Sequence, residues 1–331
     1  MPGARIECNW SYNGLKAIIL ENEYLRLTIL PELGGKIFQV IHKAADTDIL
    51  WHHPRIEPQL VPFGSRFDDV WCGGWDEQFP NDEPITFKGE MYPDHGELWS
   101  MPWHWQVQKD ETNVVVLYMR RFGCVTTSTA EKWITLNAGE PYVRIKLRIT
   151  NTGIAPIDYI WKLHPAFAIS VDHRIDLPAA RVIVDEAYRT QFGGIASYTW
   201  PYAVIGQTPV DMRLVPPPTA GITNFHYVTE LTGGWLAVTD TARRFGFGLV
   251  FPKEIFRSIW LFLVYGGWRG LYTAVVEPAT GYPSRLDQAS EAGTCSTLQP
   301  GKYVEAEILG VAYSGVTTVS HIAPDGAVYQ S

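Results

Sequence analysis

Three short segments of the chain carry side chains that could take up and release protons. They are PDHGELW around His95, IWKLHPAF around His164 and TAVVEPATGYP around Glu277, and each of the three residues is followed directly by glycine or proline. Imidazole and carboxylate groups are the ones that enzymes use most often for general acid–base chemistry. A single His-Pro or His-Gly pair is commonly no more than a turn, so chemistry requires a fold that brings the three together.

The prolines predict where two of these residues lie in the fold. Because proline cannot donate a hydrogen bond to a sheet ladder, His164 before Pro165 and Glu277 before Pro278 are expected where a strand leaves its sheet. At such a point the side chain can project into a cleft. A carboxylate directly after the apolar run TAVV is costly to bury alone, so Glu277 needs either solvent or a partner.

The elements around these segments have the period of β-strands. In YVRIKLRIT, the apolar residues from Val143 to Ile149 alternate with basic residues, which is typical of a strand with one buried face. Similar short runs recur between Gly, Pro, Asn and Asp residues, and helical periodicity is scarce. We therefore predict an all-β fold, a large antiparallel β-sandwich, as a single domain over residues 1–331. One short helix is expected around SRLDQASEAG.

Composition narrows the class of protein. A net charge of -8 without a block of Lys and Arg argues against a nucleic-acid partner. No run approaches the ~20 apolar residues of a membrane span, and no apolar leader follows the first methionine. The 4 cysteines are far apart and form no CxxC pair, which favours reduced thiols over disulfides or a zinc site. We predict a cytoplasmic protein with no membrane partner and no metal.

Aromatic residues are abundant, with 13 Trp and 16 Tyr. Exposed aromatic faces stack on the flat apolar faces of sugar rings, which favours a carbohydrate ligand. Large β-sheets also take up aromatic residues in their interiors. Composition alone leaves both explanations open.

Five motifs, taken in chain order, resemble the aldose 1-epimerase (galactose mutarotase-like) superfamily. ILPELGGKIFQVIH is similar to the opening strand pair of that family, and CGGWDEQFPNDEP, HGELW, LHPAF and VVEPATG follow in the family's order over about residues 23–313. The chain departs from the family in lacking the HPYFNL continuation, the longer pattern around the late acid, and the Asn-Arg pair before the first histidine. Arg66 is the nearest counterpart of that pair. These departures leave the substrate open more than the reaction.

The resemblance implies a mutarotase that needs neither metal nor organic cofactor. By the family's pattern, Glu277 would be the base that takes the proton of the C1 hydroxyl, and His164 the acid that protonates the ring oxygen. His95 would hydrogen-bond the ring oxygen or an adjacent hydroxyl. The C1–O5 bond then opens, the aldehyde rotates, and closure on the other face exchanges the α and β anomers of a free aldose.

A sugar site also needs flat aromatic surface and polar groups for the hydroxyls. Trp75, Asp76, Trp99 and Arg66 are the candidates for these contacts. A hexose phosphate would require a cluster of Arg or Lys at the site, and only Arg66 lies near the early motifs. We therefore expect a neutral or modified free sugar as the small-molecule partner.

Two alternatives remain beside the enzyme. The first is a non-catalytic carbohydrate-binding protein of the same fold, which would have no need of the Glu/His set. The second is an accessory domain of a polysaccharide-degrading enzyme. This alternative is weakened because 331 residues leave no room for a second, catalytic domain. The full set of His95, His164 and Glu277 favours catalysis.

Overall fold

Alternation of apolar and polar residues along short strands determines this architecture. The computed structural model describes residues 3–330, of which about 51% lie in strands and 6% in helices. The prediction of an all-β, antiparallel sandwich is confirmed. The predicted domain runs from residue 1 to residue 331, so its first two residues and its last lie outside the described range.

The strands and helices of the described residues are short and follow one another closely. The strands are β1 (Arg5–Tyr12), β2 (Leu15–Glu21), β3 (Leu25–Leu30), β4 (Lys36–His42), β5 (Thr47–Asp48), β6 (Trp75–Gln78), β7 (Ile85–Phe87), β8 (Glu90–Tyr92), β9 (His104–Glu111), β10 (Val114–Phe122), β11 (Ser128–Asn137), β12 (Tyr142–Asn151), β13 (Ile157–Tyr159), β14 (Lys162–Phe167), β15 (His173–Asp176), β16 (Arg181–Val184), β17 (Ser197–Thr199), β18 (Tyr202–Ile205), β19 (Thr208–Asp211), β20 (Ile222–Thr229), β21 (Trp235–Asp240), β22 (Phe245–Val250), β23 (Ser258–Tyr265), β24 (Tyr272–Ala279), β25 (Ser296–Leu298), β26 (Tyr303–Ser314), β27 (His321–Ile322) and β28 (Val328–Tyr329). The helices are α1 (Phe67–Val70) and α2 (Leu286–Glu291), with 3-10 turns at Lys43–Ala45, Glu186–Tyr188 and Pro218–Ala220.

Two large antiparallel sheets form the sandwich. The first has 14 strands in the order β1-β2-β3-β4-β6-β14-β24-β23-β20-β16-β17-β18-β19, with β5 paired to β4. The second has 8 strands in the order β15-β21-β22-β26-β12-β11-β10-β9. Their facing sides share one apolar cluster that includes Leu27 and Trp75 of the first sheet and Ile134 and Ile145 of the second. The core therefore lies between the sheets, and the outer face of the first sheet is free to carry a site.

Strand β12 behaves as its sequence predicts. Val143, Ile145, Leu147 and Ile149 are buried, while Arg148 on the opposite face pairs with Glu305 of β26 at 2.6 Å. The short helix expected around SRLDQASEAG is α2, which buries Leu286 and Ala289. Local patterning is therefore sufficient to orient these elements.

The prediction that His164 and Glu277 end their strands is wrong, because both lie within continuous strands at the middle of the first sheet. Strand β14 runs through Pro165 to Phe167, and β24 runs through Pro278 to Ala279. The two prolines lack the N–H groups that a ladder needs. Accordingly, the pairing of β14 with β24 holds at Lys162–Ala279 and Ala166–Val275 but is interrupted between them.

Two further features bear on the predicted class of protein. All four cysteines are unpaired. Within residues 3–330, no helix is long and apolar enough to cross a membrane.

Candidate active site

The three predicted acid–base residues, His95, His164 and Glu277, line one cavity of about 250 Å³ on the first sheet. Strands β14 and β24 supply His164 and Glu277, and the loop between β8 and β9 supplies His95. The lining also contains the charged or hydroxyl-bearing side chains of Asp68, Asp82, Glu83, Lys162, Asp185, Tyr188 and Ser284. Residues separated by most of the chain length are thus brought to one place by the order of strands in the sheet.

His164 and Glu277 are cross-strand neighbours. The register of β14 against β24, fixed at Lys162–Ala279 and Ala166–Val275, sets these two residues opposite each other. Residues opposite each other in an antiparallel pair point to the same face of the sheet. His164 Nε2 lies 3.9 Å from Glu277 Oε2, and both side chains are at most 5% exposed. The pair forms the floor of the cavity.

His95 reaches the cavity because its backbone adopts a left-handed conformation. Its φ is 58°, and its N–H donates to the carbonyl oxygen of Asp82 at 2.6 Å. Gly96 follows with a φ of +75°, and a Cβ there would lie 2.2 Å from the carbonyl oxygen of Phe79. Only glycine fits that position, which explains the His-Gly pair. Strained backbone of this kind is frequent at functional sites.

Two carboxylates and one aromatic ring hold the imidazole of His95. Nδ1 lies 2.7 Å from Asp94 Oδ1, and Nε2 lies 3.6 Å from Asp82 Oδ1. The ring stacks on Phe67 with centroids 4.0 Å apart and planes inclined by 6°. Burial alone would lower the pKa of His95, but the charge of Asp82 and the hydrogen bond to Asp94 outweigh it and raise the pKa above 6.5. His95 therefore keeps its proton to a higher pH than an ordinary histidine does.

The environment of His164 lowers its pKa, whereas that of His95 raises it. Burial, followed by the positive charges of Lys162 and His95, lowers the pKa of His164 well below 6.5. The rings of Phe67 and Trp71 pack edge to face with the imidazole of His164, at centroid distances of 5.3 and 5.5 Å. Within the described residues, its buried Nδ1 has no hydrogen-bond partner. His164 is therefore a neutral imidazole near neutral pH, whereas the resemblance implied a protonated acid.

Lys162 is a part of the site that the sequence reasoning missed. Its Nζ lies 2.5 Å from Asp82 Oδ1 and 2.7 Å from Glu277 Oε2, and its side chain is 2% exposed. Burial raises the pKa of Glu277 above 4.5, and the charge of Lys162 opposes that rise. The signal was available, because in KLHP the lysine stands two residues before His164 and so shares its face of the strand.

Three of the four residues expected to contact sugar are buried and are not among the residues that line the cavity, so the structure does not support that expectation for them. Trp75 is 0% exposed and packs in the core between the sheets. The carboxylate of Asp76 is paired with Lys36 at 2.5 Å and is also 0% exposed. Trp99 is buried and donates from Nε1 to the carbonyl oxygen of Asp94 at 3.0 Å. Trp75 and Trp99 do not line the cavity. Asp76 lies opposite His164 in the pairing of β6 with β14, and within the described residues its buried Oδ1 has no hydrogen-bond partner.

Arg66 lies on a neighbouring groove rather than in the cavity. Its side chain is 71% exposed, and its guanidinium is 3.9 Å from Asp69. It lines a depression beside Phe63, Met91 and Asp94. Arg66 is therefore outside the group formed by His95, His164 and Glu277.

Other aromatic side chains take the place that the sequence assigned to Trp75 and Trp99. Tyr188, Phe225, Phe262 and Trp268 line the cavity and are partly exposed. Phe262 and Trp268 pack edge to face with centroids 5.5 Å apart. Flat apolar surfaces of this kind are suited to the faces of a sugar ring. They lie far along the chain from the early motifs, which gave no signal for them.

Carboxylates outnumber cationic groups in the lining of the cavity. Its lining contains the five carboxylates of Asp68, Asp82, Glu83, Asp185 and Glu277, against Lys162 and the imidazole of His95, whose pKa is raised. Within residues 3–330, no group of three or more His, Cys, Asp and Glu residues is arranged to hold a metal ion. The donors and acceptors present can hydrogen-bond the hydroxyl groups of a neutral, polar ligand.

Comparison with known proteins identifies the same fold. A family described as a domain of unknown function (DUF5107) matches residues 9–81. A candidate aldose 1-epimerase from Klebsiella pneumoniae superposes with a TM-score of 0.71 at 14% identity, over 93% of this chain and 83% of that one. A galactose mutarotase-like protein from Clostridium acetobutylicum gives 0.68 at 11% identity, over 94% and 99%. The Slr1438 protein from Synechocystis sp. PCC 6803 gives 0.67 at 18% identity, over 93% and 100%.

These likenesses confirm the predicted resemblance at the level of the fold. The chain has the galactose mutarotase-like β-sandwich over nearly its full length. At identities of 11 to 18%, the likeness concerns architecture and not activity. The chemistry has to be argued from the cavity itself.

Proposed function

We propose that this protein is a cofactor-free carbohydrate mutarotase or closely related epimerase, which interconverts the α and β anomers of a free aldose. The observation that supports this proposal is that the carboxylate of Glu277 and the imidazole of His95, whose pKa is raised, line one cavity. Anomer exchange needs one group that takes a proton and one that supplies it. The fold, shared with galactose mutarotase-like proteins, supports the same reading.

In the proposed mechanism, Glu277 takes the proton of the C1 hydroxyl and His95 gives its proton to the ring oxygen. The C1–O5 bond breaks, and the electrons of the former O–H bond form the aldehyde carbonyl. After rotation about C1–C2, the hydroxyl at C5 attacks the other face of the aldehyde. His95 recovers its proton from that hydroxyl, and Glu277 returns its proton to the new O1. No net proton is consumed.

This scheme exchanges the roles that the family resemblance assigned to the two histidines. The neutral His164, 3.9 Å from Glu277, can accept or donate one hydrogen bond but is a poor source of a proton at neutral pH. The Asp82 and Asp94 carboxylates beside His95 stabilise an imidazolium there. We therefore assign the acid to His95 and a hydrogen-bonding role at the substrate to His164.

A non-catalytic carbohydrate-binding protein remains the second candidate, and one contact favours it. The carboxylate of Glu277 is 2.7 Å from the ammonium group of Lys162, which reduces its strength as a base. The two candidates differ in turnover and agree in binding. A measurement of anomer exchange therefore separates them.

The experiment is two-dimensional NMR exchange spectroscopy on a panel of free neutral aldoses at anomeric equilibrium. Cross-peaks between the α and β anomeric signals measure the rate of interchange directly. An enzyme accelerates exchange of at least one sugar in proportion to protein concentration. A binder broadens or shifts the sugar signals and leaves the rate of exchange at its spontaneous value.

A further inference from the structure

Lys162 is the cavity residue in direct contact with the proposed base, and the mechanism above gives it no role. It stands at the start of β14, two positions before His164, and its side chain is 2% exposed. The ammonium group lies between Asp82 Oδ1 at 2.5 Å and Glu277 Oε2 at 2.7 Å, and 4.3 Å from the centre of a ring of Trp260. A lysine so enclosed loses its hydration and needs such partners to remain charged.

The contacts of Lys162 belong to a longer chain of alternating charges. Asp94 contacts His95 at 2.7 Å, and His95 lies 3.6 Å from Asp82. Asp82 contacts Lys162, and Lys162 contacts Glu277. The signs alternate from end to end, so each charge is flanked by opposite ones. The proposed acid and the proposed base are thereby joined through Asp82 and Lys162.

We propose that Lys162 is a positioning residue, which fixes the carboxylate of Glu277 toward the cavity and couples it through Asp82 to His95. The proposal rests on the mutarotase function proposed above for the same cavity. It adds an explanation of how the buried carboxylate of Glu277 can remain ionised and act as the base. Lys162 touches Glu277 and Asp82, and acts on the sugar only through them.

The charge of Lys162 has a defined effect on the proton affinity of Glu277. Burial and the neighbouring carboxylate of Asp82 raise the pKa of Glu277, whereas Lys162 and His95 lower it. The titratable groups that line the cavity with Glu277 are Asp68, Asp82, Glu83, His95, Lys162, His164, Asp185 and Tyr188. Lys162 is the nearest cation among them, so its removal leaves burial and the carboxylates in control. Glu277 should then hold its proton to a higher pH.

The test is a direct titration of Glu277 in the full-length protein. The carboxyl ¹³C signal of Glu277 is assigned by its loss in Glu277→Gln and followed against pH in the parent, Lys162→Met and Lys162→Arg. We expect the apparent pKa of Glu277 to rise by roughly 1–3 pH units in Lys162→Met. Lys162→Arg keeps the charge and should show less than half of that rise. Lys88→Met, which removes the exposed partner of Asp158, is the matched control and should show none.

Removing one partner of a buried ion pair is destabilising, so folding is checked by thermal unfolding before titration. If Lys162→Met does not fold, Lys162→Gln replaces it, because its amide still donates to a carboxylate without a charge. The same upward shift is expected. A folded Lys162→Met or Lys162→Gln in which Glu277 titrates as in the parent would overturn the proposal, as would an equal rise in Lys162→Arg. The titration needs no turnover, so it can succeed or fail independently of mutarotase activity.

Discussion

His164 of β14 and Glu277 of β24 lie opposite each other on the outer face of the larger sheet, with Nε2 and Oε2 3.9 Å apart. Neither residue lies in a loop. Their separation is set by the register of two buried central strands, which is among the most rigid relationships that a sheet provides. His95, in contrast, depends on a loop that positive backbone φ angles and the carbonyl of Asp82 hold in place.

The two histidines should respond differently to pH. Because the pKa of His95 is raised above 6.5 and that of His164 is lowered well below it, His95 should lose its proton on the alkaline side of 6.5. Ring ¹⁵N shifts, assigned with His95→Gln and His164→Gln, report each titration. A titration of His164 above that of His95 would reverse the proposed roles.

The pH dependence of anomer exchange follows from the same shifts. The rate should rise as Glu277 ionises above 4.5, since its pKa is raised, and fall as His95 deprotonates above 6.5. His95→Gln should lower the rate and remove the alkaline limb, whereas His164→Gln should lower the rate and keep that limb. The limbs belong to the coupled set of groups rather than to single residues. Loss of the alkaline limb in His164→Gln alone would restore His164 as the acid.

The negative cavity should select against anionic sugars. Five carboxylates line it against Lys162 and His95, so a phosphate or carboxylate on the sugar meets an excess of like charges. A 6-phosphate or uronic acid should bind at least about tenfold more weakly than the neutral parent sugar, which is a difference of about 1.4 kcal/mol. Titration calorimetry at low and high salt measures it, and the difference should shrink as salt screens the charges. Tighter binding of the phosphate would contradict this selectivity.

The turn after His95 can be tested through stability. Gly96 and Gly89 both have positive φ, at +75° and +88°, but a Cβ at Gly96 would meet the Phe79 carbonyl at 2.2 Å whereas one at Gly89 would meet nothing within 4 Å. Gly96→Ala should therefore be less stable than Gly89→Ala by roughly 1–3 kcal/mol, the usual cost of overpacking. Denaturant unfolding measures both variants. Equal losses would show that backbone conformation alone requires the glycine.

Sequence patterning was sufficient for the fold, and it pointed to three residues that lie together at the candidate site. The alternation in β12 oriented that strand correctly, and the motifs around His95, His164 and Glu277 led to one cavity. The expectation that proline ends a strand failed, because Pro165 and Pro278 lie on facing segments of one ladder and both strands continue through the interruption. Whether a strand continues past proline depends on its neighbours, which a single segment does not reveal.

Burial was the quantity that sequence could not supply for the remaining residues. Trp75 and Asp76 are residue types that sugar sites use. In the structure, however, Trp75 packs in the core and Asp76 is paired with Lys36. Lysine is typical of exposed positions, yet Lys162 is buried between the carboxylates of Asp82 and Glu277. In each case the outcome depends on residues distant in the chain, so residue type and local period could not decide it.

The most direct test of the central claim is the rate of anomer exchange in Glu277→Gln on the sugar that the parent turns over fastest. The substitution keeps the shape of the side chain and removes the base. NMR exchange spectroscopy should show a rate lower by roughly 10²-fold or more, while the sugar still binds. Glu254→Gln makes the same chemical change at an exposed position and should exchange anomers like the parent. If Glu277→Gln also exchanged anomers as fast as the parent, Glu277 would not be the base, and the carbohydrate-binding alternative would take precedence.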